Sequence, residues 1–331
     1  MKISYYTPLQ DSYIDITRGY GNANRSIVTT LNKVGHEVTY NDPAASVQIS
    51  FCNPLQYQFH PGQYKIGYTP WESTELPPGW VESMNQCDEV WATSPWTAQV
   101  YENAGIKPPV YVYEHGIDPL WTPRKRERTD VLRFLHVGEP ALRKGGQMAV
   151  DAFRAVFGDR ADVHLTIKAW EAHWLRAYSS TGRLINPDEA YSNVSISTKS
   201  ISPAALAQMF YDHDVLVYPS YGEGFGFIPL QGLASGMPVI STYDWAPYAR
   251  FLQPDLKVSA RQDRSIWSLH SGDVFYPNYK DLKYSMKTVE QYYDRFATVA
   301  YQTAPEIIRR FDWEKQTKYV FESLEKRITG N

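Results

Sequence analysis

Cysteine is scarce in this sequence: Cys52 and Cys87 are the only two in 331 residues. So spaced, they offer neither a disulfide framework nor the ligand pattern of a structural metal site, and a reduced, cytoplasmic setting is the expectation. Long hydrophobic runs are missing as well. No stretch approaches the ~18 apolar residues that a membrane helix needs, and the N-terminal Met-Lys-Ile-Ser-Tyr-Tyr-Thr-Pro lacks the apolar core of a secretory signal. No integral membrane contact is therefore expected. Neither sign of charge dominates: 33 Lys and Arg stand against 36 Asp and Glu, a net −3. That balance argues against a polyanion-binding surface, because phosphate contacts normally need a basic face. Internal repeats and low-complexity tracts are absent.

What is present suits two domains of ordinary size. A hydrophobic content of 43% is ample for two cores, and the 25 tyrosines and 10 tryptophans are the compositional oddity. Aromatic faces could stack on the C–H faces of sugars, although most of these rings are expected to fill cores with their polar ends tethered.

The chain is organised around Val215 to Thr242, which reads as strand, tight loop, helix and strand. Val215–Tyr218 is an unbroken apolar run, as in a strand buried on both faces. Pro219, Gly222, Gly224 and Gly226 break it into a loop, and Pro229 falls in the first turn of the next helix, where a missing N–H leaves no bond unmade. Gly236 and Pro238 close that helix before Val239 opens another strand. A carboxylate, Glu223, is thus expected beyond the carboxyl end of a parallel strand and beside the free N–H groups of a helix. That is where open α/β sheets bind ligands and where a helix favours phosphate. Glu223 could accept hydrogen bonds from hydroxyls such as those of a sugar. The alternative is an ordinary turn whose glycines serve geometry alone.

The remaining chain alternates in the same way. Strands are expected at Lys2–Tyr6, Glu37–Tyr40, Val47–Phe51, Tyr64–Tyr68 and Val110–Tyr113, and helices at Ser26–Lys33, Trp80–Gln86 and Thr97–Ala104. A long loop holds Gly19 and Gly21. Thr122–Asp130 is polar and charged and reads as a solvated linker. Strands follow at Leu132–Val137, Val163–Trp170 and Val194–Lys199, with helices from Gln147 to Phe157 and from the Ser202 cap toward Tyr211. Asp212 and Asp214 form an Asp-x-Asp, but they precede the central strand, away from its carboxyl end, and are read as structural. Phe311–Glu325 has helical apolar spacing.

Glu223-Gly-Phe-Gly226 followed by Ala234-Ser-Gly-Met-Pro-Val-Ile240 resembles the donor-site signature of family-four retaining glycosyltransferases of the GT-B fold. The resemblance implies an α/β architecture of two Rossmann-like domains facing across a cleft. Residues 1–121 would form an acceptor domain, 122–130 a linker and 131–311 a donor domain, with a closing helix over 312–331 packed back on the first domain. It implies transfer of a hexose from a UDP- or GDP-sugar, with retention of configuration, to an unidentified hydroxyl acceptor: a glycan, a protein, a small molecule or a modified DNA base. The nucleotide sugar is then a co-substrate, and no further cofactor or metal is expected.

Roles carry over by position. Glu223 would hold the sugar, with the backbone of Gly224, Phe225 and Gly226. Lys144, Arg143 and the N–H groups of Gly21 and of the Phe227–Ile228 turn would receive the diphosphate, with Gly19 as the alternative to Gly21. Thr198 and Lys199 are nucleotide candidates, and Lys168 is expected to point toward the cleft. Glu72 would bind acceptor hydroxyls or act as a base, Trp71 would stack on a sugar or simply pack, and His115 lies at the cleft edge in a catalytic or a structural role. Three departures stand out. The family's second glutamate is Gln231 here, Glu139 occupies the usual place of an arginine, and Thr69–Glu75 lacks the histidine found in many relatives. They keep open a nucleotide-sugar-binding protein with weak or no transfer activity; a glycosyltransferase acting on modified nucleic-acid bases is the other alternative. Acceptor choice is assigned to Gln10–Arg18 and Gln56–Gln63.

Overall fold

The computed structural model of the chain describes residues 1–8, 19–138, 142–169, 175–178, 183–268 and 270–330. Residues 10–18, Glu139 and Trp170 from the sequence reading lie outside them. Two parallel sheets carry the architecture. The first holds β1 (Lys2–Tyr6), β2 (Glu37–Tyr40), β3 (Val47–Phe51), β4 (Tyr64–Thr69), β5 (Glu89–Ala92) and β6 (Val110–Val112) in the order β2-β1-β3-β4-β5-β6. β3 and β5 are buried along their whole length; β3 alternates apolar and polar residues, and its Gln48 and Ser50 are buried because they are hydrogen-bonded, Ser4 Oγ donating to Gln48 Oε1 and Ser50 Oγ to the Gln58 carbonyl. α1 (Gly19–Lys33), α2 (Trp80–Met84) and α3 (Pro95–Asn103) connect these strands.

The second half holds β7 (Leu132–Val137), β8 (Val163–Lys168), β9 (Ala177–Tyr178), β10 (Leu184–Ile185), β11 (Val194–Ser197), β12 (Val215–Tyr218), β13 (Val239–Thr242) and β14 (Lys257–Val258). β9 pairs with β10; the others form a sheet in the order β11-β8-β7-β12-β13-β14. Its helices are α4 (Gly146–Phe157), α5 (Pro187–Ala190), α6 (Pro203–Tyr211) and α7 (Phe227–Ala234). An antiparallel hairpin of β15 (Ala260–Arg264) and β16 (Asp273–Pro277) follows, then α8 (Tyr279–Gln291), α9 (Tyr293–Arg310) and α10 (Trp313–Thr329). Strand order reverses between β1 and β3 in one sheet and between β7 and β12 in the other. Crevices open at such reversals, outside the carboxyl ends of the strands. Among the described residues no helix is long and apolar enough to cross a membrane.

α10 leaves its own half and packs on the first sheet, where Trp313, Val320, Phe321 and Leu324 join Ile3, Ile49, Tyr68 and Trp91 in one core. Arg327 fastens it with two bonds to the buried Glu89 carboxylate, Nε to Oε2 at 3.0 Å and Nη2 to Oε1 at 2.9 Å. The two crossings between the halves touch: the Ile117 N–H donates to the Phe311 carbonyl at 2.8 Å. Gly116 lies so close under Trp313 that a Cβ there would come within 2.5 Å of the indole.

One expectation needs correction and a second needs refinement. The segment with Gly19 and Gly21 is helix, not loop: α1 starts at Gly19, because Tyr20, Ala23, Ile27 and Leu31 recur at helical spacing and pack into the first core. The linker is exposed at most of its positions, as expected, but it is not free chain. Arg124 lies 3.6 Å over the Tyr211 ring, Arg126 Nη2 donates to the Phe210 carbonyl at 3.1 Å, and Arg128 pairs with Glu290 at 3.3 Å.

Candidate functional site

β12 ends at Tyr218, and the chain turns through Pro219–Gly226 before α7 begins. The turn carries Glu223 back over the strand end, where it is 7% exposed and surrounded by donors. Tyr218 Oη and Ser220 Oγ both donate to Glu223 Oε1, at 2.9 and 2.8 Å. The neighbouring strand β7 feeds the loop that brings the cations. Lys144 Nζ donates to both carboxylate oxygens, at 2.7 and 2.8 Å, and Arg143 Nη1 lies 3.3 Å from Oε1. Burial raises the Glu223 carboxyl, but the attraction of Lys144 and Arg143 outweighs it and holds the group below its ordinary value. The carboxylate is therefore an ionised acceptor.

The opposite wall comes from the first half. Glu72, on the loop after β4, places Oε1 3.5 Å from Arg143 Nη2 and Oε2 3.6 Å from His270 Nε2. Burial raises its carboxyl, yet Arg143 and the His270 ring pull it down to about 2. The Glu72 side chain is therefore an ionised acceptor at neutral pH. His115 is buried among Phe227, Phe225, Phe51 and Trp313, stacked on Phe227 with a ring separation of 5.0 Å. Burial pushes its imidazole down to about 3, so it is neutral at physiological pH. Its Nδ1 lies 3.1 Å from the Tyr68 hydroxyl.

Between these walls lies a cavity of about 480 Å³. At one end Val137, Gly138, Lys168, Ala169 and Ser200–Pro203 line it; at the centre Arg143, Lys144, Glu223 and the Gly226–Ile228 turn; at the other end Gly19, Tyr20, Asn22, Phe51, Pro70 and His115. Lys168 Nζ donates to the Ala169 carbonyl at 3.0 Å. Gln231 lines the same space. It is 7% exposed, and its side-chain Oε1 has no hydrogen-bond partner among the described residues. Such a buried acceptor costs free energy until a donor arrives. The N–H groups of Phe227 and Ile228, at the start of α7, likewise have no acceptor among the described residues.

The structure brings together Glu223, Lys144, Arg143, Glu72, His115, Gln231, Gly224, Phe225, Gly226, Phe227 and Ile228. It does not bring Thr198 and Lys199, because β11 ends at Ser197 and both face solvent; Ser200–Ser202 take the wall instead. Gly21 sits in the first turn of α1 and leaves the cavity wall to Gly19 and Tyr20. Trp71 is packed: its ring stacks on His270, and Nε1 donates to the Glu75 carbonyl at 3.0 Å. Asp214 is occupied structurally, Oδ2 accepting from the Arg133 N–H at 2.7 Å. Two groups on Glu223, Tyr218 and Ser220, escaped the sequence reading although they flank the motif. His270 gave no signal, because only the tertiary fold brings its hairpin to Glu72.

Comparison with known proteins bears on this geometry. A family model described as "Family 4 Glycosyltransferase in conflict systems" matches residues 94–318, more than half of the chain. The chain belongs to that family. A D-inositol 3-phosphate glycosyltransferase of Arthrobacter sp. (strain FB24) is 27% identical over 151 residues. That match covers 43% of this chain and 34% of the relative, so it spans about a third of that protein's length. Sucrose-phosphate synthase from Thermosynechococcus elongatus superposes with a TM-score of 0.73 at 14% identity, covering 100% of both chains. HepE of Anabaena, solved in complex with UDP, gives 0.61 at 13% identity over 98% of this chain and 100% of its own. The architecture of this family 4 member is the GT-B fold, with the cavity between its two sheets.

Proposed function

We propose that the chain transfers a hexose from a nucleoside-diphosphate sugar, a UDP-sugar first among them, to a hydroxyl acceptor with retention of configuration. The observation that carries this reading is the Gln231 side chain. A buried amide oxygen without a partner, on the same cavity wall as the Glu223–Lys144 pair and the α7 N-terminus, fits a ribose hydroxyl that donates to it. The UDP bound by a structural neighbour supports the choice of nucleotide.

In this reading the base lies at the Val137–Ala169 end and the diphosphate over the start of α7. Lys144 and Arg143 meet the phosphate charge that grows as the bond from the anomeric carbon to the diphosphate oxygen breaks. Glu223 and the Gly224–Gly226 backbone hold the sugar hydroxyls. The acceptor hydroxyl attacks from the side of the leaving group: a new bond forms to the anomeric carbon, and the hydroxyl proton passes to the departing phosphate oxygen. Positioning and charge stabilisation provide the rate, and Lys144 and Arg143 provide the cationic charge without a metal. Tyr20, Asn22, Phe51 and Pro70 form the wall that receives the acceptor.

The deciding experiment is thermal stabilisation by a panel of UDP- and GDP-sugars alongside the free nucleotides, since a ligand of the native state must raise the melting temperature. A shift with one sugar nucleotide fixes the donor. No shift with any of them overturns the reading. EDTA is expected to leave turnover unchanged, and a strict metal requirement would contradict the proposed handling of the leaving group.

A further inference from the structure

The glycine loop is not held by its own half alone. Thr93, the first residue after β5, donates its hydroxyl to the Gly224 carbonyl at 2.6 Å. Thr97, in the first turn of α3, reaches the same oxygen at 3.3 Å. Both threonines are fully buried in the first half of the molecule. The contact is tight throughout: a Cβ on Gly224 would stand 2.4 Å from Pro70. No cis peptide bond occurs among the described residues. A carbonyl drawn toward the threonines therefore turns the Phe225 N–H away from them, and that N–H has no acceptor among the described residues. Gly224 and Phe225 border the cavity beside Glu223.

We propose that Thr93, with Thr97 in support, is a positioning residue for the transfer reaction. Its hydroxyl fixes the Gly224–Phe225 peptide in the orientation that engages the donor's sugar, so the sugar subsite is complete only while the two halves are closed on each other. This inference rests on the donor assignment proposed above for the same cavity. It separates two parts of one ligand. The ends of β7, β8 and β11 and Gln231, which would receive the nucleotide, belong to the second half alone, whereas the peptide that would face the sugar is set by the first. Loss of the Thr93 hydroxyl is then felt by the sugar and by turnover, and not by the nucleotide.

The test compares Thr93→Val, which keeps the shape and removes the O–H, with Thr93→Ser, which keeps the O–H. Amide hydrogen exchange of the ligand-free protein is the first arm. The valine variant should exchange the peptide spanning residues 222–228 about tenfold faster, with β12 unchanged and the serine variant near wild type. The second arm uses the UDP-sugar that most stabilises the wild type. The valine variant should lose about ten- to a hundredfold in kcat with the Kd for free UDP unchanged, and serine should restore most of it. Unaltered exchange, unaltered kcat, equal losses in both variants, or a parallel loss of UDP affinity would each overturn the proposal. If Thr93→Val does not fold, Thr97→Val is read in the same two arms. A wild type that binds no sugar nucleotide refutes the donor assignment, and the exchange arm then decides by itself whether Thr93 governs the loop.

Discussion

Glu223 shows how one residue can be costly alone and stable in company. Its carboxylate is out of water, and among the described residues Lys144, Arg143, Tyr218 and Ser220 keep it ionised. Replacement by alanine should lower transfer about a hundredfold or more, as loss of an electrostatic contact in a dry site does. It should also strengthen free UDP binding, because Lys144 and Arg143 lose a competing anion; calorimetry with UDP checks the sign. Gln231→Leu removes an acceptor that has no partner among the described residues, so stability should hold or rise while UDP affinity drops about tenfold. The acid response follows from His115 and Glu72. His115 binds a proton at an ordinary 6.5 when unfolded and only near 3 when folded, so the unfolded state holds more protons across that interval. Stability is therefore lost as pH falls below 6.5, by about 2 kcal/mol at pH 5 for this one group. Glu72, ordinary at 4.5 and held at about 2, adds a further loss as pH falls through that lower window. Melting temperatures recorded from pH 7 to pH 2 should decline throughout; a flat stretch between pH 6.5 and pH 4.5 would contradict the His115 assignment, and one between pH 4.5 and pH 2 that of Glu72. Glu223, Lys144 and Gln231 were legible because a strand–loop–helix pattern fixes where such residues project. Thr93 was not, because the carbonyl it binds is 131 residues away.

Among the elements, the glycine loop is the most constrained. The sequence assigns Gly222 only the breaking of the strand into a loop. In the structure the space beside it is taken by the Glu72 carbonyl, 2.2 Å from where a Cβ would be. Gly222→Ala should thus cost about 1–3 kcal/mol and loosen the contact between the halves, seen as a lower melting temperature together with weaker donor binding. Most strands of the two parallel sheets are legible, β3, β8 and β11 by alternation and β12 as a short apolar run. The region from 251 to 310 was not read. β15 has the sequence Ala-Arg-Gln-Asp-Arg with four exposed residues, and no period-2 pattern announces it. α9 does carry a signal, since Phe296, Ala300, Ala304 and Ile307 are buried at helical spacing, but Pro305 inside it breaks the pattern that a sequence reading relies on.

For the whole molecule, the sequence indicated two sheets and a returning helix, while the way they close on each other depends on contacts between distant residues. Arg327 is the clearest case. Its partner Glu89 is 0% exposed, and Tyr64 and Trp91 also donate to it. Arg327→Met should cost about 3 kcal/mol, because it leaves a buried carboxylate short of its cation. A denaturant titration followed by tryptophan fluorescence should show the change, and Glu89→Gln in the same background should recover part of it.

The paired crossings at Ile117 and Phe311 have a mechanical consequence. Two independent tethers would let the halves slide, twist and separate in several ways. Tethers bonded to each other at one point, with Trp313 pressed on Gly116 beside them, act as a single pivot. The halves can then part only by a swing about that point, and the Thr93–Gly224 bond, whose neighbour Phe225 packs on Phe311, has to break as they do.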